Sequence, residues 1–364
     1  MLDKVETAAR DKRRSATFDV EIAAVATAVP HQAISQEEMR QRARVSYPQF
    51  ASIDSIYANT GIEQRYVCEP AEWYLQPRTW EERTAVFQRN ALALLEQATV
   101  EAVAKAGMEI GEIDAIVVNT ITGLAVPSLD AKLMNRLPFR PDTERLPIFG
   151  IGCGGGVAGL ARASRIAQSM PGGNVLFLTV DLCTLCLRIN DPSITMFVAT
   201  ALFGDGAAAI VLRNTGGTDG GGGQAKVAAM GEHFWGGTEG IMGWDIKNDG
   251  FGIVLSPTLP SLVQERFAPA LDQFLAKHEL TRDDIDGYLL HPGGGKILDV
   301  AEKVLALPPE GLKPSREILR TYGNMSSATA MFILKYAFDH GLHGRYVLAA
   351  FGPGFSAYFM VLDL

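Results

Sequence analysis

The chain has 364 residues, 47% of them hydrophobic and 20% charged, with a formal net charge of -8. That length supports two core-sized units or one fused pair, and the acidic balance argues against nucleic acid, whose phosphates call for clustered Lys and Arg. No segment reaches the roughly 18 consecutive apolar residues of a membrane span, and four cysteines are too few for a disulfide framework, so a reducing cytoplasm is expected.

In chain order, residues 1–17 read as a flexible polar tail: they are charged, lack a signal-peptide core and carry the one basic cluster, Lys12 to Arg14. Residues 18–214 form the first half. Within it Leu95 to Gly107 has helical spacing and leads into Glu112-Ile-Asp-Ala-Ile-Val-Val-Asn119, an apolar run of strand length. Gly152-Cys153 opens an Ala-rich helical run ending near Met170, and Gly173-Asn-Val-Leu-Phe-Leu-Thr179 reads as the next strand. Residues 215–225, with the run Gly216 to Gly223, are a connector by composition. Residues 226–364 form the second half. There Leu271 to Leu280 is helical in spacing, Asp284-Ile-Asp-Gly-Tyr-Leu-Leu-His291 is a strand, Gly323-Asn324 opens a helical run to about His340, and Gly344-Arg-Tyr-Val-Leu-Ala-Ala350 is a strand.

The second half repeats the first at a distance of 171 or 172 residues. A duplication makes His291 the counterpart of Asn119, and Asn324 the counterpart of Cys153. Alternating strands and helices predict mostly parallel sheets with covered faces, and a pseudo-symmetric pair of helix starts facing one site.

Three residues at those positions carry chemistry. Cys153 sits in Gly150-Ile-Gly-Cys-Gly-Gly-Gly156, where glycines permit a tight turn and a helix N-terminus would lower the thiol pKa. It is either a nucleophile or a small buried cysteine in a glycine turn. His291, between a buried strand and Pro292-Gly-Gly-Gly-Lys296, is at a common α/β ligand position or is a satisfied structural histidine. Asn324 either caps its helix or donates its amide to a developing oxyanion. Cys183-Thr-Leu-Cys186 has redox or zinc spacing, but no second pair completes a tetrahedral site, so small cavity-lining residues are expected. The Gly220 to Gly223 run lacks the spacing of a phosphate loop.

Leu202-Phe-Gly-Asp-Gly-Ala-Ala-Ala209, His291-Pro-Gly-Gly294, Tyr322-Gly-Asn-Met-Ser-Ser327 and Phe351-Gly-Pro-Gly354 together resemble the type III polyketide synthases. These are the chalcone synthase-like branch of the thiolase-fold superfamily, and the pattern is nearest to the bacterial alkylpyrone and alkylresorcinol synthases. The resemblance implies an α/β thiolase-like fold of two duplicated β-α-β halves, layered α-β-α-β-α, and a homodimer. It implies an acyltransferase acting on malonyl-CoA and acyl-CoA, with no metal, redox cofactor, nucleic acid or membrane span. Cys153 would carry the acyl chain; His291 and Asn324 would assist ionisation and bind the thioester oxygen during decarboxylation. Phe203 matches the first gatekeeper and Trp244 stands for the second. Thr122, Cys183, Cys186 and Gly352-Pro353-Gly354 match cavity positions.

The sequence departs from the plant pattern in several places. Ser52, Ser55 and Asn59 stand where basic residues bind CoA phosphates, leaving Lys296 to supply charge. Val126 replaces a methionine that crosses the dimer interface, and Ala350 replaces the first glycine of Gly-Phe-Gly-Pro-Gly. The rival readings are a ketoacyl-carrier-protein synthase of fatty-acid initiation, which shares the fold and the Cys-His-Asn set, and a papain-like cysteine hydrolase, which uses the same three residue types in that order.

Overall fold

The computed structural model describes residues 19–217 and 222–364. The predicted tail over residues 1–17, its basic cluster, and positions 218–221 of the connector lie outside the described residues. The first half threads β1 (Val20–Ala28), β2 (Gln32–Ser35), α1 (Gln36–Ser46), β3 (Gln64–Val67), α2 (Ala71–Tyr74), α3 (Trp80–Lys105), β4 (Ala115–Asn119), α4 (Leu129–Met134), β5 (Glu144–Ile148), α5 (Gly155–Gln168), β6 (Asn174–Leu182), α6 (Ile194–Leu202) and β7 (Asp205–Asn214). The second threads β8 (Ala225–Phe234), β9 (Met242–Lys247), β10 (Gly250–Leu255), α7 (Leu259–Ala276), β11 (Gly287–Leu290), α8 (Gly295–Val304), α9 (Lys313–Tyr322), α10 (Ser327–Asp339), β12 (Arg345–Gly352) and β13 (Ser356–Asp363).

Nine of these strands form one sheet in the order β11-β12-β13-β8-β1-β7-β6-β4-β5. Outward from its middle, β8-β13-β12-β11 repeats β1-β7-β6-β4, with the same parallel or antiparallel sense at every step. The duplication is therefore topological. Within the sheet the two copies join where β1 pairs with β8, Glu21 opposite Lys226 and Ile22 opposite Ala225.

The expected mostly parallel pairing is not what forms. Only β4–β5, β4–β6 and β11–β12 are parallel; the pairings of β7, β8 and β13 are antiparallel. A continuous apolar strand reports burial on both faces, which helix cover produces whichever way its neighbour runs.

The packing is five-layered. Helix α3 covers one outer face, with Phe87, Leu95 and Ala98 against β-strand residues such as Ile116 and Leu178. Helices α7 and α8 cover the other, with Phe267 and Leu298 against Phe359 and Val347. Between the two sheet halves lie α5 and α10, and they meet through small residues. A Cβ on Gly156 would run into the Ser327 carbonyl and lie 3.4 Å from the Ala330 Cβ, so glycine there sets how closely the helices approach. Helix α3 begins well before the predicted Leu95 because Thr79 and Glu82 close a capping box, Thr79 N donating to Glu82 at 2.8 Å and Glu82 N to the Thr79 hydroxyl at 3.2 Å. Among the described residues no helix is long and apolar enough to cross a membrane.

Candidate active site

Cys153 occupies a 3-10 turn, Gly152–Gly154, at the start of α5. Gly150 and Gly152 take φ of +96° and +57°, conformations that glycine adopts without Cβ strain. The turn rests on the bend between β12 and β13. A Cβ on Gly152 would lie 2.5 Å from Pro353 Cδ, and one on Gly352 would lie 2.6 Å from the Ile151 carbonyl. Thus Gly352 and Pro353 support the turn that carries Cys153, and of the predicted cavity positions Gly352, Pro353 and Gly354 only Pro353 lines the cavity. Gly354 (φ +72°) bends the chain away, its carbonyl accepting from the Thr238 hydroxyl at 3.0 Å.

His291 continues β11 and donates its backbone N–H to Ala349 at 2.8 Å. Its side chain is buried at 2% exposure, and neither ring nitrogen has a hydrogen-bond partner. Two orphaned ring nitrogens are costly in a core. Asn324 is 3% exposed. Its amide donates weakly to the Gly293 carbonyl at 3.4 Å, and its side-chain oxygen accepts from Ser326 N at 2.8 Å. The helix cap itself is Ser326, at φ +51°, which leaves the Asn324 amide turned toward the His291 loop.

Cys153, Asn324, Phe203, Cys183, Trp244 and Pro353 line one cavity of about 640 Å³ including its open mouth. Its remaining wall is mostly apolar. Burial pushes the Cys153 thiol up to about 11, with nearby Asp181 adding to the rise and a Ser326 hydrogen bond opposing it. The expected lowering by the helix N-terminus is overridden, because desolvation of a thiolate in an apolar pocket outweighs a partial helix charge. Burial likewise pushes His291 down to about 3. Neither group ionises readily in these surroundings.

Phe203 packs on Cys183, Ala199 and Ile253. Ile253 lies opposite Trp244 across the β9–β10 hairpin, and sequence reasoning passed over it because the hairpin register is not visible in an apolar run. The Trp244 indole N–H donates to the Ile121 carbonyl at 2.8 Å, bridging from the hairpin to the loop after β4. Thr122 and Cys186 do not line the Cys153 cavity. They line a neighbouring pocket of about 320 Å³ with Phe87, Arg83 and Phe251, while the Thr122 hydroxyl donates to Asp181 at 3.3 Å. Lys296 is exposed on the first turn of α8. That turn abuts the 3-10 helix Pro48–Thr60, which bears Ser52, Ser55 and Asn59; a Cβ on Gly295 would lie 3.0 Å from the Thr60 carbonyl. All four cysteines are free thiols, and the described residues hold no cluster of three or more His, Cys, Asp or Glu side chains suited to a metal.

A buried thiol, an unpartnered histidine and an asparagine amide sit on a duplicated five-layer fold of the thiolase kind. Residues 7–216 match the family "Chalcone and stilbene synthases, N-terminal domain" and residues 226–363 match its C-terminal domain. The chain is 34% identical over 355 residues to a putative chalcone synthase of Bacillus subtilis, covering 92% of this chain and 96% of that one. It is 38% identical over 317 residues to the 1,3,6,8-tetrahydroxynaphthalene synthase of Streptomyces peucetius, covering 86% and 83%. The crystal structure of 1,3,6,8-tetrahydroxynaphthalene synthase from Streptomyces coelicolor superposes with a TM-score of 0.87 at 31% identity, covering 94% of this chain and 99% of that one. The chain belongs to the chalcone and stilbene synthase family and is a type III polyketide synthase, an acyltransferase. Such enzymes work on CoA thioesters without an additional cofactor. The hydrolase and fatty-acid-initiation readings give way to this match along nearly the whole chain.

Proposed function

We propose that this enzyme extends a fatty acyl starter, carried as a thioester on Cys153, by repeated decarboxylative condensation with malonyl-CoA, and closes the product to an alkylpyrone or alkylresorcinol. The observation that carries this reading is the cavity itself: Cys153 and Asn324 open into a space whose walls are mostly apolar, beside a buried histidine with no partner.

The Cys153 proton passes to His291 as the sulfur attacks the starter thioester, and CoA leaves with a proton. Malonyl-CoA then binds with its thioester oxygen toward the Asn324 amide and His291. Loss of carbon dioxide leaves an enolate whose negative oxygen those donors stabilise. The enolate carbon attacks the Cys153 thioester, and the Cys153–acyl bond breaks to give a free Cys153 sulfur and a β-ketoacyl-CoA longer by two carbons. The sulfur then attacks that new thioester, and the chain returns to Cys153 as CoA leaves with a proton. Phe203 and Ile253 narrow the approach, Trp244 walls the far side, and Lys296 meets the CoA phosphates.

The enzyme works as a homodimer in this reading. Val126 is 96% exposed, and Leu124, Leu146 and Phe149 are exposed apolar neighbours in sequence to it and to the sheet-edge strand β5. An open apolar edge of this kind suits a second copy of the same chain. Four free thiols fit work in the cytoplasm.

A second reading takes malonyl-CoA as the starter as well, giving a hydroxylated naphthalene, and it is favoured by the names of the Streptomyces relatives. Incubating purified enzyme with malonyl-CoA alone, and with acyl-CoAs of graded length, separates the two by mass spectrometry of the products. Alkyl-bearing products are expected; a naphthalene from malonyl-CoA alone would favour the second reading, and no condensation with any starter would sink both. Cys153→Ala should abolish product while leaving the fold intact.

A further inference from the structure

Arg65, on β3, is completely buried, at 0% exposure. Among the described residues it has no carboxylate partner. Instead its guanidinium donates to three backbone carbonyls at the end of α6: Thr200 at 2.8 Å, Ala201 at 3.0 Å and Phe203 at 3.2 Å. Its Nε has no partner. A buried charge without a counter-ion costs several kcal/mol in general, and here only the negative end of a short helix and three carbonyl dipoles offset it. Burial lowers the group to about 10, so it remains a cation at neutral pH.

What the guanidinium holds is the backbone on either side of the gate. Phe203 and Asn324 form an isolated parallel bridge: Asn324 N donates to the Leu202 carbonyl at 2.9 Å, and Gly204 N donates to the Asn324 carbonyl at 3.0 Å. Both backbone groups of Asn324 are therefore tied to the residues flanking Phe203. The Arg65 stem is wedged beneath this bridge. A Cβ on Gly204 would lie 2.6 Å from the Tyr322 carbonyl and 3.2 Å from the Arg65 Cβ; a Cβ on Gly323 would lie 3.0 Å from the Leu202 carbonyl and 3.4 Å from the Arg65 Cβ. Glycine on both sides is what lets the first-half and second-half backbones touch.

We infer that Arg65 is a positioning residue for the condensation: by clamping the carbonyls around Phe203 it sets the gate and, through the Phe203–Asn324 bridge, the amide that receives the malonyl thioester. Gate and amide then move as one body, so the substrate that passes Phe203 meets Asn324 already in register. The catalytic part of this inference rests on the proposed function; the mechanical part does not.

The test has two arms. Hydrogen exchange of the amides at positions 204 and 324, in enzyme labelled with 15N-asparagine and 15N-glycine (15N-alanine for the Gly204→Ala variant), needs no substrate. Arg65→Lys offers a point charge in place of a fork and should release both amides together, with α5 and α10 still protected. Gly204→Ala, which strains the bridge from the opposite side and leaves the buried cation in place, should do the same. Protection unchanged at both amides, or lost at one alone, would overturn the mechanical claim, and Gly204→Ala decides it if Arg65→Lys does not fold.

In the second arm, active sites are counted by alkylation of Cys153, and malonyl-CoA decarboxylation is measured per counted site. Both variants should lose on the order of 10- to 100-fold in kcat, the scale of a small misplacement, with a smaller change in KM. Wild-type kcat per counted site in both variants would make Arg65 purely structural and refute its catalytic role. A wild-type enzyme that consumes no malonyl-CoA would instead refute the proposed function, while the exchange arm still tests the clamp.

Discussion

Acidification should expose the state of His291. The ring is buried with both nitrogens unpartnered, and burial holds it near 3 from an ordinary value of 6.5. Below about pH 6.5 the unfolded chain binds a proton at this residue that the folded chain refuses, so the stability present above 6.5 is lost as pH falls toward 3. One proton is worth about 1.4 kcal/mol per pH unit, which gives about 2 kcal/mol between pH 6.5 and 5 and about 5 kcal/mol if carried to pH 3. Asp205 works in the opposite direction. Burial raises its carboxyl to about 6 from 3.8, and the stability this contributes is present at low pH and lost as pH rises through 6. The two effects are separated by comparing urea unfolding of the wild type with His291→Gln at pH 7.5, 6 and 5. The wild type should lose about 2 kcal/mol more than the variant over that range; parallel losses would show that His291 is not held neutral. Alkylation of Cys153 in His291→Gln should accelerate only as pH approaches the thiol's value of about 11, and rapid alkylation of that variant at neutral pH would show that the thiolate forms without the histidine.

Two further substitutions probe the cavity and the layers behind it. Trp244→Ala removes the indole whose N–H bridges to Ile121 and should join the Cys153 cavity to the pocket lined by Thr122 and Cys186, lengthening the longest acyl-CoA accepted; an unchanged chain-length profile by mass spectrometry would show that Trp244 is no partition. Gly156→Ala drives a methyl into the Ser327 carbonyl and should cost about 1–3 kcal/mol in thermal unfolding as α5 and α10 are forced apart, with activity falling further because Cys153 and Asn324 lie just before those helices.

The duplication and the family were legible because each rests on local signals: a strand run, a glycine turn or a short motif, repeated at one spacing. Pairing direction was not legible, because β7 and β13 are as apolar as parallel strands and nothing in their composition records which way a neighbour runs. Ile253 was missed for a related reason. It enters the cavity through its register against Trp244, whereas Thr122 and Cys186 line the neighbouring pocket. The state of Cys153 also lay beyond sequence reach. A helix start argues for an acidic thiol, whereas the apolar surroundings that reverse the outcome are assembled from distant residues such as Ile121 and Leu202. Arg65 stood unremarked in a short polar stretch, and only its burial makes it notable.

The β9–β10 hairpin forms a two-stranded sheet of its own, outside the nine-stranded one, yet Met242, Gly243, Trp244, Ile253, Val254 and Leu255 all face the cavity. Heritable change in this enzyme therefore has an inexpensive place to act. The helices that follow Cys153 and Asn324 are buried in the core, whereas the ribbon is separate from the main sheet. Substitutions in those two strands would reshape the cavity wall without touching the turns that carry Cys153 and Asn324.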